Sequence, residues 1–212
     1  MLGTKLLEKF GWQPGKSDEL SQDLLDQNVR SRYQKGLNLA EQGLHPQARY
    51  EFEQALAMNH SFAEAHYELG KTYKTLGLVD KAIKAFQTAL RLSPDHLQTY
   101  NELGVIYDTK GNFLEAVKMY MKALRLKPNA TEILNNLGVA YFNIGSYTEA
   151  IKAFKRVVQI EPNDAQAHFG LALVYIDLEN KESALSEHET LKNLGHVAVA
   201  DQLLDKIHRQ FQ

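Results

Sequence analysis

The stretch Asn101–Asn129, "NELGVIYDTKGNFLEAVKMYMKALRLKPN", recurs along the chain with a period of 34 residues. Thirty-four residues later stands "NNLGVAYFNIGSYTEAIKAFKRVVQIEPN", and 34 residues earlier stands "YELGKTYKTLGLVDKAIKAFQTALRLSPD". Two fainter copies begin at Tyr33 and Phe169. A fixed period of this length indicates a repeat architecture. It divides the chain into five blocks: 29–62, 63–96, 97–130, 131–164 and 165–198.

Each block has the pattern of two helices joined by a turn. In the third block one face has the i, i+3, i+4, i+7 spacing of a helix: Tyr100, Leu103, Gly104 and Tyr107. After the break at Gly111 a second face follows: Ala116, Val117, Tyr120, Ala123 and Leu124. Pro128 then ends the second helix, because proline lacks the N–H that a helix interior needs. The side chains of Asn129, Asp95 and Asn163 are predicted to cap the next helix.

Two columns of the aligned blocks predict how the helices pack. One column holds small residues: Gly36, Gly70, Gly104, Gly138 and Ala172. Another holds large rings: Phe52, Phe86, Tyr120, Phe154 and His188. Small residues let two helix backbones approach closely, and the rings fill the remaining space. Because one helix pair cannot bury its apolar face alone, neighbouring pairs are expected to stack.

These columns resemble those of the tetratricopeptide repeat (TPR) family, whose 34-residue unit carries W-x2-L-G-x2-Y…A-x3-F…P. The segments "ELGKTY", "ELGVIY" and "NLGVAY" match its first part, and "AIKAF" and "AVKMY" match its second. The resemblance covers residues 29–198 and implies an all-α fold: a right-handed α-solenoid of about five TPR helix-turn-helix repeats plus a C-terminal capping helix. The departures at His60, Glu179 and His188 lie in the terminal repeats, which need more polar surfaces.

The two ends of the chain lie outside the repeats. In 199–212, Val199, Leu203, Ile207 and Phe211 form one apolar stripe, which favours a capping helix over a docking surface for a second copy. In 1–28, Leu6, Leu7 and Phe10 precede a break at Pro14. Further helical spacing follows at Leu20, Leu24 and Leu25. This N-terminal helical extension is expected to pack on the first repeat or lengthen its first helix, with a mobile arm as the alternative.

The composition excludes several classes of function. The 212 residues carry a formal net charge of −2 and no cysteine, which rules out disulfides and thiolate metal sites. The charge balance gives no support for a nucleic-acid partner. No apolar run approaches the roughly 18 residues of a transmembrane segment. We therefore expect a cytoplasmic protein, with peripheral recruitment to a membrane or organelle by a partner left open.

Residues suited to catalysis or metal binding do not form a motif. The eight histidines include no H-E-x-x-H or H-x3-H pair, so no metal site is predicted. His66 and His168 are expected to fill the core or a helix interface. "GKT" at Gly70–Thr72 lacks the glycine-rich turn of a phosphate loop. We expect no enzyme activity and no cofactor.

The remaining candidate is a surface for another protein. In stacked helix pairs the first helices line a concave groove that binds partners. The TPR resemblance assigns to this groove Tyr33, Tyr67, Glu68, Lys71, Asn101, Glu102, Val105, Asp108, Glu132, Asn135, Asn136, Val139 and Phe169. Amides suit a peptide backbone, aromatic rings offer rigid contact area, and carboxylates favour lysine or arginine. The predicted partner is a protein or peptide with basic and aromatic or apolar residues.

A second hypothesis is self-assembly into a homo-oligomer or a coat. The N-terminal extension or the C-terminal helix would supply the contact, and the groove would receive it. Magnetosome-associated TPR proteins of bacteria are broadly similar in architecture. Some TPR domains clamp a C-terminal carboxylate with a Lys/Asn/Asn/Lys/Arg set. The matching positions here are Tyr33, Leu37, Glu68, Gln98 and Glu102, so this mode of binding is not expected.

Overall fold

The structure, a computed structural model, describes residues 16–211, and it describes the side chains from Leu24 onward. The predicted helical segment with Leu6, Leu7 and Phe10 therefore lies outside the described residues, as does Pro14. The side chain of Leu20 is also outside the described set.

Eleven helices and no strand make up residues 16–211. The helices are α1 (Lys16–Glu41), α2 (His45–Met58), α3 (Ala63–Thr75), α4 (Val79–Leu92), α5 (Leu97–Thr109), α6 (Phe113–Leu126), α7 (Thr131–Asn143), α8 (Tyr147–Ile160), α9 (Ala165–Asp177), α10 (Lys181–Asn193) and α11 (Val197–Gln210). The prediction of an all-α fold built from repeated helix pairs is confirmed.

The chain divides into two compact units, which we describe separately. Unit 1 ends at Pro94 and contains the hairpins α1–α2 and α3–α4. Unit 2 begins at Asp95 and contains α5–α6, α7–α8, α9–α10 and the additional helix α11. Within each unit, the second helix of one hairpin packs on the first helix of the next. The hairpins of a unit therefore share a continuous core, as repeats of this kind require.

The small and aromatic columns meet inside the hairpins. Phe154 on α8 is 1% exposed, and a Cβ added to Gly138 on α7 would lie 2.6 Å from its ring. Gly170 on α9 faces the same ring, where an added Cβ would lie 2.5 Å from it. In α5–α6, a Cβ added to Gly104 would lie 2.4 Å from the ring of Tyr120. Glycine is required at these positions because any side chain would collide with a buried ring.

The turns between paired helices use a left-handed residue. Gly145 has φ of 73°, and its N–H donates to the Phe142 carbonyl at 2.9 Å. The N–H of Ser146 donates to the Tyr141 carbonyl, also at 2.9 Å, so the last carbonyls of α7 are satisfied. In the last repeat the equivalent residue is Glu179, which keeps φ at 55° without being glycine.

The predicted helix caps were wrong by one residue. The N-caps of α5, α7 and α9 are His96, Ala130 and Asp164, and not the preceding Asp95, Asn129 and Asn163. The carboxylate of Asp164 accepts from the N–H of Ala167 at 2.7 Å. The turn after each proline is one residue longer than the sequence pattern suggested, so the predicted residue precedes the cap.

The first and last described helices, α1 and α11, differ in how much of their apolar surface is buried. The helix α1 runs without a break from Lys16 into the first repeat, and Val29 is the first buried residue among its side chains described from Leu24 onward. Leu24 and Leu25 on its leading part are exposed. At the other end, Ala200, Leu203 and Ile207 of α11 are buried in a cluster with residues of α9 and α10.

Both histidines singled out in the sequence make local bonds. His66 Nε2 lies 3.0 Å from the His60 carbonyl. His168 is buried; its Nε2 lies 2.8 Å from the Pro162 carbonyl, and its Nδ1 lies 2.6 Å from a carboxylate oxygen of Glu187. His168 therefore joins α9 to α10 inside the last hairpin.

Candidate protein-interaction surfaces

The first helices of unit 2 form one side of the stack. Helix α7 contacts both α5 and α9, whereas no comparable contact joins the second helices α6, α8 and α10 among the described residues of this unit. The first helices therefore lie closer together than the second helices. This difference in spacing makes the first-helix side of unit 2 the inner, more concave side.

Three side chains on this side form a hydrogen-bonded ladder between α5 and α7. The amide nitrogen of Asn136 donates to the Asn101 side-chain oxygen at 3.2 Å. The amide nitrogen of Asn101 donates in turn to Glu132 at 3.2 Å. Asn101 and Asn136 are half-buried and Glu132 is exposed. Because an amide carries two donor hydrogens and an oxygen with two lone pairs, the ladder uses only part of its bonding capacity.

Asn135 does not belong to this ladder. It is 3% exposed, and its amide nitrogen donates to both carboxylate oxygens of Asp164 at 3.2 and 3.3 Å. The same carboxylate caps α9, so Asn135 fastens α7 to the start of the next repeat. The structure thus removes Asn135 from the predicted peptide-binding set, because its side chain is enclosed by the stack.

Asp108 lies two turns after Asn101 along α5, half-buried beside Tyr120. The Tyr120 hydroxyl donates to one carboxylate oxygen of Asp108 at 3.3 Å, and the other oxygen is buried and accepts no hydrogen bond from the described residues. Burial raises the pKa of Asp108, and the bond from Tyr120 offsets this only in part. Burial and the Asp108 carboxylate together raise the pKa of Tyr120 above its ordinary value. The site holds a carboxylate that an incoming donor would stabilise.

The apolar residues predicted for the groove differ in exposure. Val139 on α7 is 37% exposed, whereas Val105 on α5 is partly buried against the core. Phe169 on α9 is packed against the cluster that α11 completes. Of the three, Val139 is the most exposed and offers the best apolar contact.

Unit 1 contains a separate cleft of about 330 Å³ between α1 and α3. It is lined by Leu37, Ala40, Glu41, His45, Glu68, Lys71, Thr72 and Thr75. The Lys71 ammonium lies 3.0 Å from Glu68 and 5.3 Å from the ring centre of Tyr67. The predicted residues Glu68 and Lys71 are therefore brought together as a pair that largely neutralises itself.

The two tyrosines predicted for unit 1 pack mainly inward. The ring of Tyr33 lies 4.8 Å from that of Phe62 and 5.9 Å from that of Phe52. The ring of Tyr67 lies 5.9 Å from that of Phe86. Both tyrosines are half-buried, so only part of each ring can contact a partner.

Sequence reasoning missed His45 and Thr75 in this cleft. His45 begins α2, in the turn region, and Thr75 ends α3. Neither belongs to a column that the repeat pattern marks as groove-facing. Their distance from those columns explains the omission, since the cleft lies where two helix ends meet and not along one helix face.

Among residues 16–211, no three His, Asp or Glu side chains form a group that could hold a metal ion. No helix in this range is both long and apolar enough to span a bilayer.

Comparisons with known proteins agree with a helical-repeat architecture. Sequence models described as tetratricopeptide repeat match residues 61–129 and 119–152, and one described as TPR repeat matches residues 36–77 and 140–178. Together these matches span residues 36–178 without a gap. The chain therefore belongs to the tetratricopeptide repeat family. No protein with a curated description matches it.

Several solved TPR structures are similar to the chain. YrrB, described as a TPR protein with an unusual peptide-binding site, is 21% identical with a TM-score of 0.76; the match covers 89% of this chain and 97% of YrrB. MamA of strain AMB-1 is 26% identical with a TM-score of 0.71, over 81% and 94% of the two chains. MamA of Desulfovibrio magneticus RS-1 is 16% identical with a TM-score of 0.76, over 80% and 96%. At these identities the similarity establishes the fold.

Proposed function

We propose that the chain is a non-catalytic protein-interaction scaffold that binds an extended peptide segment on the first-helix side of unit 2. The observation that carries this proposal is the charge of that side. Helices α5 and α7 carry three carboxylates, Glu102, Asp108 and Glu132, and no lysine or arginine. Beside these carboxylates lies the ladder formed by Asn101, Asn136 and Glu132.

The chemistry of this surface selects a partner. Amides that donate and accept at once match the backbone of an extended peptide, which presents alternating N–H and C=O groups. The carboxylates favour lysine or arginine on that peptide, and Val139 offers a contact for an apolar side chain. Asp108 adds a half-buried carboxylate whose ionised form gains most from a donor, because burial disfavours its charge. The proposed ligand is a segment in which basic residues alternate with aromatic or apolar ones.

The cleft of unit 1 provides a second, separate contact area in this proposal. The ammonium of Lys71 is already paired with Glu68 and stacked on Tyr67. This cleft should therefore contribute hydroxyl and apolar contacts, from Thr75 and Leu37, more than charge. We expect substitutions of Thr75 and Leu37 to weaken peptide binding less than substitutions of the carboxylates of unit 2.

Binding can be measured by fluorescence anisotropy with the full chain. The probe is a labelled peptide that alternates lysine with tyrosine, compared with the same peptide carrying glutamate in place of lysine. The double variant Glu102→Lys/Glu132→Lys should bind the lysine peptide at least about tenfold more weakly, because like charges are then juxtaposed. The glutamate peptide should bind poorly to the unchanged chain.

The matched control is Glu115→Lys/Glu149→Lys, which makes the same charge change on the second helices α6 and α8. These glutamates are exposed and form only surface ion pairs with Lys118 and Lys152. The control should leave peptide affinity within about twofold of the original, apart from a uniform effect of net charge that salt screens. If both double variants weaken binding equally, the first-helix side is not the binding surface.

The second candidate function is self-assembly, and exposed leucines favour it. Leu24 is 54% exposed and Leu25 is 38% exposed on the leading part of α1. Two adjacent exposed leucines on a helix face provide a contact for another copy. Light scattering of the full chain should then show a mass that falls to that of a monomer in Leu24→Asp/Leu25→Asp. A monomer before the substitution would exclude this function.

A further inference from the structure

In helices α5 to α9 of unit 2, the charged residues are segregated between the first and the second helices; the last second helix, α10, has two lysines and three glutamates and does not share this pattern. The first helices α5, α7 and α9 contain four carboxylates and no lysine or arginine. The second helices α6 and α8, with the turns that follow them to Asn129 and Glu161, contain seven basic residues and three glutamates. The overall net charge of −2 hides this separation, because it averages over both sides.

The seven basic side chains are all exposed, and we call them together the basic face; one of them, Lys122, also lies over the ring of Tyr100 on α5, 5.6 Å from its centre. It consists of Lys118, Lys122, Arg125, Lys127, Lys152, Lys155 and Arg156. The α6 and α8 parts of the basic face meet at the α6–α7 turn, where the Arg156 guanidinium donates to the Asn129 side-chain oxygen at 2.8 Å. The face is therefore continuous from one repeat to the next.

The three glutamates on this side neutralise little of the basic face. Glu115 and Glu149 pair with Lys118 and Lys152 at 3.1 and 3.9 Å. Glu161 accepts from the Thr131 hydroxyl at 2.7 Å, at the edge toward α7. The face retains a net charge of +4, while the opposite side of the same unit is negative. A dipolar unit of this kind orients in the field of an anionic surface.

Apolar side chains are interleaved with these charges. Leu114, Lys118, Met121 and Arg125 follow i, i+4, i+7 and i+11 along α6, so they lie on a single stripe. Leu114 is 60% exposed and Met121 is 43% exposed. Leu114 is the more open of the two, and the sulfur of Met121 lies 3.6 Å from the Tyr141 hydroxyl of α7. A stripe in which lysine and arginine alternate with exposed apolar residues is typical of surfaces that lie in the headgroup region of a bilayer.

We propose that the basic face of α6 and α8 docks the protein on a membrane surface rich in anionic lipid. Lysine outnumbers arginine on it by five to two. Flexible ammonium groups suit a diffuse layer of headgroup phosphates, whereas a specific carboxylate site favours the planar fork of arginine. Leu114 and Met121 would enter the boundary of the acyl chains. The acidic first-helix side then faces away from the membrane and stays open to a peptide.

Lipid fits this surface better than nucleic acid or an acidic protein. Exposed leucine and methionine contribute nothing to contacts with a phosphodiester backbone. The shallow depression on α8, lined by Ile151, Lys155, Gln159 and their neighbours, is open and holds no buried polar group that would fix a single ligand. A diffuse, wide and partly apolar face matches a fluid headgroup layer.

Vesicle co-sedimentation of the full chain tests the proposal. One set of vesicles contains phosphatidylcholine alone, and the other contains equal parts of phosphatidylcholine and phosphatidylglycerol. Binding should be at least about tenfold stronger to the anionic vesicles and should fall with added salt. The triple variant Lys118→Glu/Arg125→Glu/Lys155→Glu should lose this preference. Equal binding to both vesicle types, or to neither, would overturn the proposal.

The matched control, Lys192→Glu/Lys206→Glu/Arg209→Glu, makes the same charge change in the same unit but on α10 and α11. It should keep most of the lipid binding; an equal loss would show that only net charge matters. Circular dichroism checks that each variant folds, and glutamine replacements at the same positions serve if a reversal unfolds the chain. A second variant, Leu114→Ser/Met121→Ser, keeps the charge and should still weaken binding several-fold. The proposal is overturned if Leu114→Ser/Met121→Ser binds vesicles as well as the unchanged chain and poly-glutamate or duplex DNA competes fully with them. The basic face would then recognise another polyanion and not lipid.

Discussion

Repeats four and five of unit 2 build the same hairpin with different cores. In repeat four, α7–α8, the ring of Phe154 is enclosed against Gly138. In repeat five, α9–α10, the equivalent residues are His188, which is only half-buried, and Ala172. Leu191 is fully buried there, together with Leu203 of α11. The comparison shows that the hairpin geometry tolerates two packing solutions: a ring on glycine inside the stack, and aliphatic residues with an added helix at its end.

Truncation of the residue in the aromatic column should give the largest difference in stability between the two repeats. Phe154→Ala should reduce the free energy of unfolding by about 3–5 kcal/mol, because it leaves a cavity between α7, α8 and α9. His188→Ala should cost less than about 1 kcal/mol, since its side chain is partly in water. Urea unfolding followed by circular dichroism measures both. Similar losses at the two positions would mean that His188 occupies the same structural role as Phe154.

Adding a methyl group provides the converse test. Gly138→Ala should destabilise the fold by about 1–3 kcal/mol, because the new Cβ would overlap the buried ring of Phe154. This loss arises despite the better helix propensity of alanine. The double variant Gly138→Ala/Phe154→Leu should recover part of it, as the smaller side chain makes room. A tolerated Gly138→Ala would show that the ring can move and that glycine is not required.

A polar pair in repeat five, the buried His168 and the half-buried Glu187, replaces apolar residues of repeat four. His168 and Glu187 stand one period after Leu134 and Ala153, which are both buried. Because the Pro162 carbonyl can only accept, Nε2 of His168 carries a hydrogen, and the contact between Nδ1 and Glu187 contains one further proton. Glu187→Ala should cost about 1–3 kcal/mol by leaving the imidazole without its partner.

The double variant His168→Leu/Glu187→Ala then introduces the residues of repeat four. It should recover most of the stability lost in Glu187→Ala, because well-packed apolar residues often replace a buried ion pair without loss. The two variants are compared by urea unfolding under the same buffer conditions. A double variant less stable than Glu187→Ala alone would mean that the pair specifies the packing of α9 on α10.

The sequence predicted the regular repeats better than the surfaces between them. The period, the small columns and the turn at Gly145 all follow from local rules, so the helices and their pairing were predictable. The cap at Asp164 was misplaced by one residue, because the length of the turn after Pro162 depends on how α9 packs. Asn135 was misassigned because its column says only that it faces inward, and its bond to Asp164 depends on the neighbouring hairpin.

The basic residues of the second helices are evident in the sequence, but the net charge of the whole chain does not reveal them. Lys155 and Glu132 are equally ordinary surface residues when counted over the whole chain. Their separation becomes meaningful only when each is assigned to a first or a second helix. The surface residues therefore needed the fold before their pattern could be interpreted.

The turn of repeat five offers the smallest effect and a direct contrast with repeat four. Glu179 has φ of 55° where Gly145 has 73°. A side chain in the left-handed region costs about 1 kcal/mol or slightly more. Glu179→Gly should therefore stabilise the fold by about 0.5–1 kcal/mol, and Gly145→Ala should destabilise it by a similar amount. Thermal unfolding of the two variants should shift in opposite directions. If Glu179→Gly is destabilising instead, the glutamate contributes a contact that outweighs its backbone strain, and the last turn is more than a degenerate copy of the others.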